Sequence, residues 1–190
     1  DIADYSLDEV YGAVLGVIVN LSKGTAIDGF GDTDTLLKVD DVNGTKFADQ
    51  LIGDAGDNVL DGMGGDDSIL GGEGNDRLRG GAGNDTLRGG LGVDSYYGGA
   101  GDDLIDASIA NADGSWSAWV VPGEGSNTIV GNQSLWYNGN GISISYYEEL
   151  SGTGGLVIVA NDDGSGTVSS NNAGVVNDTF TFVNNFEGSD

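Results

Sequence analysis

Asn58, Asp67, Asp76, Asp85, Asp94 and Asp103 recur at intervals of nine residues, each inside a turn rich in glycine. They hold the sixth position of six consecutive nonapeptides filling residues 53–106: GDAGDNVLD, GMGGDDSIL, GGEGNDRLR, GGAGNDTLR, GGLGVDSYY and GGAGDDLID. The array carries 17 glycines. Glycine tolerates positive φ and leaves the backbone bare, so carbonyl oxygens can converge on an ion. One carboxylate with several carbonyls is a hard, all-oxygen donor set. Ca²⁺ takes about six to eight oxygens and suits such a set better than Zn²⁺ does. The chain has no Cys and no His, which sets aside a soft-ligand metal site.

The other half of each repeat must position these carboxylates. It is a three-residue strand centred on Leu60, Ile69, Leu78, Leu87, Tyr96 or Ile105. Neighbours in a strand point to opposite faces, so the central residue turns inward and flanks such as Arg77, Arg79, Thr86 and Arg88 turn outward. Two nonapeptides make one coil of 18 residues. One side of the roll then stacks Asn58, Asp76 and Asp94, and the other stacks Asp67, Asp85 and Asp103. Coils lie about 4.8 Å apart. Stacked carboxylates at that spacing repel unless an ion sits between them.

The unbroken Gly-Gly-x-Gly-x-Asp register resembles the RTX family, the haemolysin-type calcium-binding repeats of bacterial proteins exported by type I secretion. The resemblance implies an all-β fold, a parallel β-roll or β-helix solenoid with 18-residue coils, flanked by degenerate rungs and strands. It implies that Asp67, Asp76, Asp85, Asp94 and Asp103 are side-chain ligands of Ca²⁺. Carbonyl ligands would come from Gly62, Gly64 and Gly65, and from Gly71, Gly72, Glu73 and Gly74. Gly80, Gly81, Ala82 and Gly83, then Gly89, Gly90, Leu91 and Gly92, and finally Gly98 and Ala100, complete the set. Two departures stand out. Asn58 replaces Asp, so a site there loses a charge and is weaker. Met63 replaces the second Gly of its repeat, which strains that turn if φ is positive.

The rhythm extends upstream in degraded form. Residues 44–52 keep Asp49 at position six and Leu51 at position eight, and Asp49 is a candidate ligand paired with Asp67. Asp40, in 35–43, reads as a solvated turn residue. Downstream, GEGSNTIVGN (123–132) reads as one more structural rung, with Asn127 in the aspartate position and Ile129 inward. Residues 107–122 break the pattern with Trp116, Trp119 and the only proline, Pro122; Trp136 and Tyr137 follow in 133–141. These aromatics read as an apolar plug beside a bulged loop, with a sugar-stacking site as the alternative.

A longer repeat spans the flanks. Residues 5–46 pass through VLGVIVNLSKGTA to DTLLKVDDVNGT; residues 145–189 pass through GLVIVANDDGSGT to DTFTFVNNFEGS. The chain reads as one unit of roughly 140 residues plus the start of the next, a piece of a tandem array. The divisions are 1–52, N-terminal strands and degenerate rungs; 53–106, the nonapeptide roll; 107–141, the aromatic interruption with one degenerate rung; and 142–190, the start of a second copy of the N-terminal unit. The β-branched runs VLGVIVNL and GLVIVAN read as strands. LDEVYGAVLG (7–16) is the nearest thing to a helix, and its two glycines favour a loop.

The net charge of −25 argues against nucleic acid and anionic membranes as partners. Roughly five Ca²⁺, counted from aspartate pairs 18 residues apart, would cancel about ten of those charges. One inward side chain per repeat makes a thin core, so the ion is expected to complete the fold. Weak extracellular-type sites bind at roughly 10⁻⁴–10⁻³ M, which places the chain outside the cell or on a bacterial surface. No leader and no membrane span are legible. No catalytic constellation is visible, and an enzymatic role is not expected: His and Cys are absent, and Asp66-Asp67 and Asp102-Asp103 belong to the calcium repeat. Glu148-Glu149 reads as a solvated pair. Three functions remain: a structural or adhesive extracellular repeat that associates end to end or meets a surface or matrix partner; a calcium-dependent secretion and folding module of a larger enzyme or toxin; and a glycan-binding module.

Overall fold

The computed structural model describes residues 1–109, 117–131, 141–145, 156–160, 165–170, 177–181 and 185–187. Its architecture is all-β, a parallel roll of two facing sheets. The strands are β1 (Ile2–Asp4), β2 (Ile18–Asn20), β3 (Thr25–Ile27), β4 (Thr33–Thr35), β5 (Asp41–Asn43), β6 (Gln50–Ile52) and β7 (Val59–Asp61). There follow β8 (Ser68–Glu73), β9 (Arg77–Ala82), β10 (Thr86–Leu91), β11 (Val93–Ala100), β12 (Leu104–Asp106), β13 (Ser117–Glu124) and β14 (Thr128–Val130). The last are β15 (Gly141–Ser145), β16 (Leu156–Ala160), β17 (Ser165–Ser170), β18 (Asn177–Thr181) and β19 (Asn185–Glu187). The stretch at 7–16 forms only a 3₁₀ turn, Asp8–Tyr11.

One sheet runs β1-β5-β7-β9-β11-β13-β15-β19, parallel throughout. The other runs β16-β17-β18-β14-β12-β10-β8-β6-β2-β3-β4. Its middle is parallel and each end is an antiparallel three-stranded meander. From β5 to β10 every strand pairs with the strand 18 residues on, as Leu60 with Leu78 and Leu87 with Ile105. That is the coil expected from two nonapeptides.

The interruption at 107–122 does not break the stack. Val93 pairs with Ser117 and Leu104 with Thr128, so a coil of 24 residues replaces one of 18. A second such coil joins Ser117 to Gly141. The rungs on either side stay in register, because pairing is set by the strands themselves and not by the number of residues between them.

Alternation places the eighth position of each repeat inward. Leu51, Leu60, Ile69, Leu78, Leu87, Tyr96, Ile105 and Ile129 are all fully buried. Val42 and Val120 continue the same core in the flanking rungs. Trp119 lies between the buried Ala118 and Val120 and is half-buried on the outward face, opposite Ser95. Trp116, Trp136, Tyr137 and Glu148-Glu149 lie outside the described residues. Arg79 pairs with Asp61 at 3.3 Å and Arg88 with Asp106 at 3.0 Å, each across one coil.

Candidate metal centre

The sixth-position side chains form two continuous ladders. On one edge of the roll the backbone N–H of Asp49 donates to Asp67 Oδ1 at 2.7 Å, Asp67 to Asp85 at 2.8 Å, and Asp85 to Asp103 at 2.9 Å. The ladder goes on: Asp103 N–H donates to Asn127 Oδ1 at 2.8 Å and Asn127 N–H to Asp178 Oδ1 at 2.7 Å. On the other edge Asn58 N–H donates to Asp76 Oδ1 at 2.9 Å and Asp76 N–H to Asp94 Oδ1 at 3.0 Å. Ala118 stands opposite Asp94 on the next rung, so that ladder stops. These are the two stacks expected from the 18-residue coil. All of these position-six side chains are buried.

Oδ1 is thus used by the fold. Oδ2 is not. In Asp67, Asp76, Asp85 and Asp103 it is buried with no hydrogen-bond partner. A buried carboxylate oxygen without a donor is costly. Burial accordingly pushes the Asp67 carboxyl up to about 8, Asp76 and Asp103 up to about 7 and Asp85 up to about 6, against a partial pull downward from the backbone N–H bonds. Neighbouring carboxylates push in the same direction as burial, Asp94 on Asp76 and Asp85 on Asp103.

Each orphaned oxygen faces the bare Cα of the first residue of its own repeat. The space that a Cβ would take at Gly62 is bounded by Asp67 Oδ2 and the Gly80 carbonyl. At Gly71 it is bounded by Asp76 Oδ2 and the Gly89 carbonyl, and at Gly80 by Asp85 Oδ2 and the Gly98 carbonyl. At Gly98 it is bounded by Asp103 Oδ2 and the Pro122 carbonyl. Each cradle pairs a carboxylate with a carbonyl one coil on, a hard donor set for a divalent cation. No three acidic side chains converge among the described residues. Backbone oxygens take the place that extra carboxylates would fill.

Backbone conformation at position two separates these turns from the rest. Gly72, Gly81, Gly90 and Gly99 have φ of 124, 113, 115 and 113°. Met63 adopts φ 71° and so keeps the same turn at a steric cost. Thr45 and Asp54, at the same position, are not left-handed, and their N–H groups turn into the cradle. Thr45 N–H donates to Asp49 Oδ2 at 2.6 Å and its hydroxyl to Asp49 Oδ1 at 2.9 Å; Val17 N–H adds a bond at 2.7 Å. The Asp49 carboxylate, expected to share a cation with Asp67, is therefore already supplied with protein donors. Asn58 is satisfied likewise, accepting from Asp54 N–H at 2.9 Å and donating to the Asp40 carbonyl at 2.7 Å.

Asp94 differs from both groups. Its turn has the left-handed Gly90 and Gly92, yet the cradle at Gly89 holds the Tyr96 hydroxyl. That hydroxyl accepts from Gly89 N–H at 3.0 Å and donates to the Asp94 carboxylate. Burial raises the Asp94 carboxyl, and the bonds from Asp76 N–H and Tyr96 pull it back. Tyrosine in place of leucine at position eight is the visible signal, since only its ring carries a donor across the core to the turn.

Two further features escaped sequence reasoning. Position five forms its own exposed ladder: Asn75 N–H donates to Asp57 at 2.7 Å, Asn84 to Asp66 at 2.8 Å, Asp102 to Asn84 at 2.8 Å and Ser126 to Asp102 at 2.8 Å. The recurrent Asp or Asn at that position was the signal. Pro122 supplies a cradle carbonyl because it holds position one of the rung containing Asn127, opposite Gly98.

A family model of the RTX calcium-binding nonapeptide repeat, four copies long, matches residues 43–78 and 70–105. No curated protein matches the chain.

Proposed function

We propose, from the premise that residues 43–105 are RTX calcium-binding nonapeptide repeats, that the chain is an extracellular structural or adhesive repeat module whose roll is completed by Ca²⁺ after secretion. Calcium-binding repeats of this family are modules of secreted proteins. The observation that carries the reading is the set of four buried Oδ2 atoms without donors, each facing a carbonyl in a glycine cradle. A hard divalent cation resolves the burial of each charge, which no side chain of the roll does.

The cation-holding set is then Asp67, Asp85 and Asp103 on one edge and Asp76 on the other. Asp49, Asn58 and Asp94 belong to the same ladders but are completed by Thr45, by the Asn58 amide and by Tyr96. This narrows the expected five ions to four, one per orphaned oxygen. Tyr96, a fully buried phenol in the roll's core, is held far from ionisation by burial and by Asp94, and serves no acid–base step here. We keep the chain as a non-enzymatic module, since among the described residues the carboxyls pushed furthest from their usual range are those assigned to the ion.

Far-UV circular dichroism during a calcium titration, with magnesium as control, tests the reading. A cooperative rise of β signal with calcium alone is expected. Full structure in excess chelator at neutral pH contradicts it. A secretion and folding module attached to a larger enzyme has the same roll; an unrelated globular domain in the same polypeptide would favour it.

A further inference from the structure

The two flanks fold as copies of one device, and each copy uses a different edge of it. In the first, β1 lies parallel to β5, with the meander β2-β3-β4 between them in sequence. In the second, β15 lies parallel to β19, with the meander β16-β17-β18 between them. The first copy passes its order on to the roll that follows: β5 pairs with β7, and β2 with β6. The second copy closes the roll that precedes it: β13 pairs with β15, and β14 with β18. One meander therefore has two roll-facing edges, its last strand toward the preceding roll and its first strand toward the following one.

The edges left over are complementary. At one end β1 and β4 have a single neighbour each among the described residues; at the other, β19 and β16 do. Their counterparts show what each accepts. DTFTFVNNFEGS aligns with DTLLKVDDVNGT, so Asp178 corresponds to Asp34 and Glu187 to Asn43. Asp178 is 0% exposed and receives Asn127 N–H at 2.7 Å, while Thr179 N–H donates to the Asn127 carbonyl at 2.8 Å. Asp34 sits exposed on the open edge, where the Tyr5 hydroxyl donates to it at 3.4 Å.

We propose that the meander is a splice: a second copy of this unit, joined in tandem, continues both sheets without a break. The edge of β16 takes the following copy's Gln50–Ile52 and the edge of β19 takes its Val59–Asp61, while Asp34 is the carboxylate that receives the last rung of a preceding copy. This pairing stands on strand register and holds whether or not calcium is the ion. Charged residues on open strands also serve simply to keep edges apart, and that is the rival outcome.

The test extends the chain, following residue 187 directly with residues 44–190, and compares backbone hydrogen exchange of Leu156–Ala160 with that in the 190-residue chain, both in millimolar calcium. The splice predicts exchange slowed by at least about tenfold in the extended chain, with the roll strands of both copies protected alike. Unchanged exchange at 156–160 overturns it. So does an extended chain whose own rungs lose protection, because the join is placed where the two flanks are equivalent. A chain that ignores calcium but protects 156–160 on extension would sink the calcium reading and leave the splice standing.

Discussion

Four carboxylates decide how this roll responds to its surroundings. Asp67, Asp76, Asp85 and Asp103 each give one oxygen to the ladder and leave the other buried without a donor. Asp85→Asn keeps the ladder acceptor and removes the charge, so its effect should change sign with the ion. In chelator at pH 8, the variant is expected to be more stable than the parent. In calcium at tenfold to a hundredfold above the site's Kd, losing one bound ion costs about 1.4–2.7 kcal/mol; paired urea titrations read both. The pH dependence follows from the raised carboxyls. Between about pH 4, the ordinary carboxylate range, and about pH 8, the upper value reached at Asp67, the metal-free fold binds more protons than the unfolded chain. Stability in chelator is therefore present near pH 4 and lost as pH rises through 6–8, which thermal melts at pH 5 and 8 would show. A metal-free chain that gains stability over that interval would contradict the burial of these groups.

Among the elements, what was legible followed directly from period and type. The inward eighth residues, the outward Arg77 and Arg79, and the two stacks 18 residues apart all came from nine-residue spacing and strand alternation. What was not legible depended on side chains reaching across turns. Thr45 fills the Asp49 cradle because its φ is not left-handed, and no spacing reports that. The break at 107–122 turned out to be longer coils with the stack intact, since hydrogen-bond register is blind to connection length. Met63 was legible as strain, and its φ of 71° bears it out. Met63→Gly is expected to raise the unfolding midpoint, by roughly 0.5–1 kcal/mol in stability, the left-handed penalty less glycine's greater chain entropy. A lower midpoint would mean that the Met63 side chain contributes packing that outweighs the strain. Asp34 and Asp178 make a sharper pair. In the 190-residue chain, Asp178→Ala leaves the buried Asn127 N–H without an acceptor and should cost about 1–3 kcal/mol. Asp34→Ala should stay within about 0.5 kcal/mol. Equal costs would show that the two residues do not occupy the distinct environments seen here.

At the scale of the whole molecule, a narrow core lies between two rows of acid. The inward column offers one apolar side chain per rung on each sheet, and the net charge is −25. Apolar burial of that size is marginal against chain entropy, so under the proposed function ions that neutralise the buried carboxylates would govern whether the roll forms. The measurement that tests this most directly is the number of Ca²⁺ ions retained per chain at saturation, by equilibrium dialysis, in the parent and in two isosteric variants. The account predicts four for the parent, fewer for Asp85→Asn, and four again for Asp94→Asn, whose cradle the Tyr96 hydroxyl already fills. An Asp94→Asn chain that loses calcium as Asp85→Asn does, or a parent that retains none, would contradict it.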